Sequence, residues 1–125
     1  MPPKVLIVDD EAFIRTLIAQ TLEDFEDDGV EILATGDGEE ALRLIRSKKP
    51  DLVFLDVMLP NLDGFAVCQQ VKENQTTAAT YVVLLTAKGQ EFDRLRGQQC
   101  GADQYLTKPF DPDEIVSLAE KILVH

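Results

Sequence analysis

Five side chains at four distant points of the chain are of types that could act together on an anionic group. Asp9 and Asp10 close the apolar run Val5-Leu6-Ile7-Val8. Asp56 closes the run 52–55, Thr86 follows Val82-Val83-Leu84-Leu85, and Lys108 comes shortly after Leu106. Three carboxylates brought together repel one another, which raises a pKa or draws in a cation. An all-oxygen, partly open site suits Mg²⁺, which keeps several waters and takes one or two carboxylates plus a phosphate. Lys108 offers a point charge to a phosphate oxygen, and Thr86 offers a hydroxyl. A carboxylate beside a metal and a lysine can attack phosphorus and form an aspartyl phosphate. The two cations neutralise charge as the phosphoryl group arrives. Each residue alone has a plainer reading. Asp9-Asp10 could cap a helix, Asp56 could open the loop before Pro60, Thr86 could end a strand, and Lys108 could be a surface lysine. The chemistry depends on the fold bringing them to one edge.

The hydropathy pattern supplies such a fold. Apolar runs predict strands at 4–9, 30–35, 52–55, 81–85 and 104–106. Helical spacing predicts helices over 11–24, 38–48, 65–73, 92–99 and 114–124, the fourth weakened by Gly97. The acidic run 23–28 reads as a solvated helix end, and Asp37-Gly38 as a turn opening a helix. Alternating strands and helices imply an α/β, doubly wound, five-stranded parallel sheet covered on both faces. The continuously apolar strands 4–9, 52–55 and 81–85 belong at the centre, and the alternating strand 30–35 and the short strand 104–106 at the edges. Right-handed crossovers then give the order 2-1-3-4-5. Ligands of such sheets bind beyond the carboxyl ends of the strands, where all five side chains fall.

Composition narrows the classes. The chain has 125 residues, a size that suits one domain spanning 1–125 with its core at about 4–123. Twelve basic against 23 acidic residues give a net charge of −11, which disfavours direct nucleic-acid binding and anionic membrane surfaces. No apolar run approaches the roughly 20 residues of a membrane span, and the start, Met-Pro-Pro-Lys, is unlike a secretory signal. Cys68 and Cys100 have no metal-ligand spacing and read as buried or half-buried thiols in a cytoplasmic protein. The one histidine, His125, is the last residue, so a zinc site or a histidine-based catalytic pair is disfavoured.

With these segments in view, the sequence resembles the receiver domains of two-component response regulators, the chemotaxis-regulator-like phosphoacceptor fold. The likeness rests on Val5-Leu6-Ile7-Val8-Asp9-Asp10-Glu11, on Leu55-Asp56-Val57-Met58-Leu59-Pro60-Asn61-Leu62-Asp63-Gly64, on Leu84-Leu85-Thr86-Ala87, and on Gly101-Ala102-Asp103-Gln104-Tyr105-Leu106-Thr107-Lys108-Pro109-Phe110. It runs from about Lys4 to Leu123. It implies a flavodoxin-like (βα)5 three-layer sandwich and a phosphorelay switch with Mg²⁺ as cofactor. By resemblance, Asp56 is the phosphoacceptor, Asp9, Asp10 and Asp56 serve the metal, and the Met58 backbone carbonyl is a further ligand. Thr86 is the switch hydroxyl, Tyr105 the aromatic group that moves with it, and Lys108 the phosphate contact. A cis peptide is expected before Pro109. The implied partners are a histidine kinase or His-containing phosphotransfer protein docking near the first helix, and a downstream protein target or tethered effector domain. The implied output surface is the fourth helix, fifth strand and fifth helix. Phosphorylation-dependent homodimerisation is common in the family, and nothing in the sequence selects it.

Three other readings each lack a feature they require. The same fold used as an interaction module, without phosphorylation, predicts missing site residues, and none is missing. Asp-x-Asp phosphohydrolases of similar fold place an acid two residues after the nucleophile, where this chain has Met58. A flavin site would need a Gly/Ser/Thr-rich phosphate cradle after the first strand, where this chain is acidic. Without the family, Tyr105 reads as an ordinary edge-strand tyrosine, and Asp63-Gly64 reads as a turn and helix start. Met58 and Lys88, two positions after Asp56 and Thr86, are expected to border the phosphoryl group and set its lifetime.

Overall fold

A computed structural model describes residues 2–87 and 91–124, with backbone alone at 91–94 and 97. The element order is β1 (Lys4–Val8), α1 (Ala12–Thr21), α2 (Glu23–Asp27), β2 (Glu31–Thr35), α3 (Gly38–Lys48), β3 (Leu52–Asp56), α4 (Gly64–Glu73), β4 (Tyr81–Ala87), α5 (Glu91–Cys100), β5 (Gln104–Lys108) and α6 (Pro112–Leu123). The strands form one parallel sheet in the order β2-β1-β3-β4-β5, as the pattern predicts.

Strand alternation divides the core between the two faces of the sheet. Leu6, Val8, Val53, Leu55, Val82 and Leu84 point to one face, packing with Ala41 and Ile45 of α3, Cys68 and Val71 of α4, and Cys100 of α5. Val5, Ile7, Leu52, Phe54, Val83 and Leu85 point to the other, under Ile18 of α1 and Ile115 and Ala119 of α6. Because both faces are covered, the central strands are apolar at successive positions. Each thiol lies inside the first of these clusters, and Cys68 Sγ donates to the Cys100 carbonyl at 3.6 Å.

The helix expected over 11–24 is two helices. At Leu22 the backbone departs from helical values, with φ −96° and ψ 10°. Leu22 is fully buried, and Phe25 packs against the same core face. The acids Glu23, Asp24, Glu26, Asp27 and Asp28 crowd one another at helical spacings, which weakens a straight continuation. Re-aiming the axis keeps both apolar groups inside and leaves the acids in water. The output surface named from the sequence therefore consists of α5, β5 and α6.

The last two strands run further than their apolar stretches suggest. Thr86 and Thr107 pair with each other in the ladder, and Ala87 pairs with Lys108. Main-chain pairing continues where side-chain burial has stopped, so hydropathy does not record it.

Candidate functional site

Register brings the carboxyl ends together. Val8 pairs with Leu55, so Asp9 and the strand-ending Asp56, each one position further, emerge side by side from neighbouring strands. Asp56 pairs with Leu85 on β4, and Lys108 ends β5 beside Ala87. The crevice beyond β1 and β3 is the topological switch point of this sheet.

Lys108 Nζ donates to Asp9 Oδ2 at 2.7 Å and to Asp56 Oδ2 at 3.2 Å, with Glu11 Oε1 at 3.7 Å. The remaining oxygens face main chain. Asp9 Oδ1 accepts the Glu11 amide at 2.9 Å, and Asp56 Oδ1 accepts the Met58 amide at 3.1 Å. Asp9 is fully buried and Asp56 is 5% exposed, whereas Asp10 is open to solvent. One carboxylate oxygen from each of Asp9, Asp10 and Asp56 lies within 4.8 Å of the others. Among the described residues, the Lys108 ammonium meets Asp9, Glu11 and Asp56, and with Asp10 beside them negative charge is in excess, all of it on oxygen. That donor set, open on the Asp10 side, fits a hard divalent cation that keeps water ligands.

The electrostatics follow from this crowding. Burial pushes the Asp56 carboxyl up to about 6, and the charge of Asp9 adds to the rise. The Met58 amide and Lys108 oppose it. Burial also works against the Lys108 ammonium, but the bonds and charges of Asp9 and Asp56 outweigh it and raise its pKa. Lys108 is thus held cationic beside a carboxylate that is largely ionised at neutral pH.

Of the other residues singled out in the sequence, Thr86 lies toward the carboxyl end of β4, whereas Tyr105 lies near the start of β5, paired with Leu84. Thr86 is half-buried on β4, and Tyr105 is half-buried on β5 against the first core cluster. Met58 is 65% exposed, and its amide donates to Asp56 Oδ1. The Lys108–Pro109 peptide is cis. Lys88 and His125 lie outside the described residues.

Two supports escaped the sequence reading. Arg15 of α1 donates from Nη1 to the Asp9 carbonyl at 2.6 Å, fixing the chain where β1 turns into the acidic pair. Gly64 packs on the main chain of the phosphoacceptor candidate: its amide donates to Val57 O at 3.0 Å, and a Cβ there would lie 2.2 Å from the Asp56 carbonyl oxygen. The Asp63-Gly64 pair hints at a turn, but only the fold reveals what the glycine touches. Asp63 also caps α4 by accepting the Ala66 amide at 2.9 Å, and it meets Arg96 of α5 at 3.5 Å.

Comparison with known proteins gives a consistent result. The family model described as response regulator receiver domain matches residues 5–120. The alkaline phosphatase synthesis transcriptional regulatory protein PhoP of Bacillus subtilis is 45% identical over 123 residues, covering 98% of this chain and 49% of the relative. The chain therefore spans about half the length of that curated relative. The chemotaxis response regulator CheY4 of Vibrio cholerae superposes with a TM-score of 0.84 at 30% identity, covering 98% of this chain and all of that one. The receiver domain of the sensor histidine kinase PA1611 of Pseudomonas aeruginosa, solved with a magnesium ion in its active-site cleft, superposes with a TM-score of 0.86 at 25% identity and full coverage of both chains. Among the described residues no helix is long and apolar enough to cross a membrane.

Proposed function

Because this chain belongs to the response regulator receiver domain family, whose members are phosphoryl-accepting signalling switches, we propose that Asp56 is the side chain that takes the phosphoryl group. The observation that carries this reading is the joint hold of Lys108 on Asp9 and Asp56, at 2.7 and 3.2 Å, at the switch point of the sheet. The whole of residues 1–125 is read as one receiver unit, with its core at about 4–123.

Asp9, Asp10 and Asp56, with the Met58 carbonyl, would hold Mg²⁺. When bound, the ion neutralises phosphoryl oxygens and the surplus charge of the carboxylates. An Asp56 oxygen attacks phosphorus, the phosphorus–nitrogen bond of a phosphohistidine breaks, and the nitrogen electron pair returns to the donor imidazole. The donor is a sensor kinase or a phosphotransfer protein docking beside α1, whose first turn exposes Phe13. Lys108 exchanges its bond to Asp56 for one to a phosphoryl oxygen, and the Thr86 hydroxyl donates to another. Tyr105 follows Thr86 inward, and the α5–β5–α6 surface shifts population.

Domains of this family are signalling elements, and this one changes its own covalent state rather than turning over a separate substrate. Its output passes to a downstream protein or a tethered effector in the cytoplasm. The relatives' names describe transcriptional regulators. With a net charge of −11, this domain is not itself the part that binds DNA.

Beryllofluoride, a phosphoryl mimic, tests the assignment by fluorine NMR. Bound resonances are expected with Mg²⁺ present and none after Asp56→Asn. Bound resonances that survive in the variant would overturn it. Absence of binding in wild type would favour the unphosphorylated interaction module.

A further inference from the structure

Beside the carboxylate cluster, the β2–α3 and β3–α4 loops meet through polar groups that the phosphoacceptor reading leaves unused. Asp37 caps α3, its Oδ2 accepting the Glu40 amide at 2.8 Å. Its other oxygen, Oδ1, accepts from Asn61 Nδ2. The Glu40 amide and then the Asn61 amide hold the Asp37 carboxyl below its usual range. Asn61 lies at φ 69°, in the left-handed region, which asparagine tolerates better than most residues. The main chains are equally close. The Gly38 amide donates to the Pro60 carbonyl at 3.2 Å, and a Cβ on Gly38 would lie 1.7 Å from the Leu62 carbonyl oxygen. Asp37-Gly38 therefore does more than open a helix.

These contacts fasten the β3–α4 loop at 60–62. Its other end is fastened where the Met58 amide meets Asp56 Oδ1 at 3.1 Å. The segment between, which includes the Met58 carbonyl, is short and held from both sides. Mg²⁺ demands near-ideal ligand positions, so a carbonyl ligand is useful to it only if its loop is fixed. Groups that orient ligands without touching the metal commonly govern its affinity.

We propose that Asp37 and Asn61 form a positioning clamp that fixes the β3–α4 loop for divalent-cation binding. The proposal rests on the reading that the Met58 carbonyl serves the cation.

The test is Mg²⁺ titration by calorimetry on the full chain, with metal-free melting curves alongside. Asn61→Gly keeps the left-handed backbone and removes the side chain. Asn61→Asp sets two carboxylates against each other. The exchange Asp37→Asn/Asn61→Asp restores one carboxylate facing one amide and still leaves an amide carbonyl to cap α3. The Kd is expected to weaken about tenfold in each single variant and to return close to the wild-type value in the exchange. Single variants that bind Mg²⁺ like wild type, while melting lower, would show a merely structural contact and overturn the clamp alone. A loss in Asn61→Asp that the exchange does not recover would also overturn it. Absence of Mg²⁺ binding in wild type would overturn the metal reading, and the clamp with it.

Discussion

Asp56 titrates near 6 in the folded chain because burial and the charge of Asp9 oppose its ionisation. An unfolded aspartate titrates near 3.9. The folded state therefore holds this proton more tightly. Its favourable contribution is fully present below about pH 4 and is lost as the pH rises through 6. Above that, the ionised carboxylate opposes folding. Asp56→Asn is thus expected to stabilise the metal-free protein at pH 7.5 by about 1–3 kcal/mol. The gain should shrink steadily between pH 7 and pH 4. Urea unfolding across that range checks it, and a gain independent of pH would contradict the assigned cause. The opposing carboxylate is also the proposed phosphoacceptor, and under that proposal stability and function conflict at this residue.

At the scale of elements, two helix starts of similar sequence appearance differ in what they carry. The α6 start is a capping box, in which the Asp111 side chain accepts the Asp113 amide at 2.9 Å and the Glu114 side chain accepts the Asp111 amide at 3.1 Å. Asp111→Ala should cost about 1 kcal/mol and leave Mg²⁺ affinity untouched. The α4 start lies on the Asp56 main chain, where a Cβ at Gly64 would lie 2.2 Å from a carbonyl oxygen of the strand backbone. Gly64→Ala should cost more than Asp111→Ala and also weaken Mg²⁺ binding, because the strand end that carries Asp56 must shift. Chemical denaturation with a Mg²⁺ titration separates the two, and equal Mg²⁺ affinity in both variants would contradict the distinction.

The same contrast marks what could be read from sequence. Strand order was legible because Val5–Val8, Leu52–Leu55 and Val82–Leu85 are apolar on both faces, whereas the edge strands are not. The carboxylates and Thr86 were legible because they follow apolar runs, Lys108 because it follows the short strand around Leu106, and strand ends share one edge of a parallel sheet. The break at Leu22 was not, since Leu22 and Phe25 fit one helical stripe and only packing re-aims the axis. Arg15, Gly64 and the Asp37–Asn61 contact were hidden for another reason. Their partners are main-chain atoms or distant loops, which periodicity does not encode.

For the whole molecule, the surplus of acid gives cations a double effect. A net charge of −11 is repulsive throughout, and the Asp9–Asp10–Asp56 edge concentrates it around Lys108. Anything that binds the folded state alone stabilises it by mass action. Millimolar Mg²⁺ is expected to raise the melting temperature more than sodium chloride of equal ionic strength. Asp10 is exposed, so Asp10→Asn should fold normally and lose most of the Mg²⁺-specific rise. Equal shifts from the two salts would mean general screening rather than a site.

Intact mass after incubation with acetyl phosphate tests the central claim most directly, run with and without Mg²⁺ and on Asp56→Asn. A gain of one phosphoryl group in wild type, absent without Mg²⁺ and absent in the variant, is the predicted result. A phosphoryl gain that persists in Asp56→Asn would contradict it.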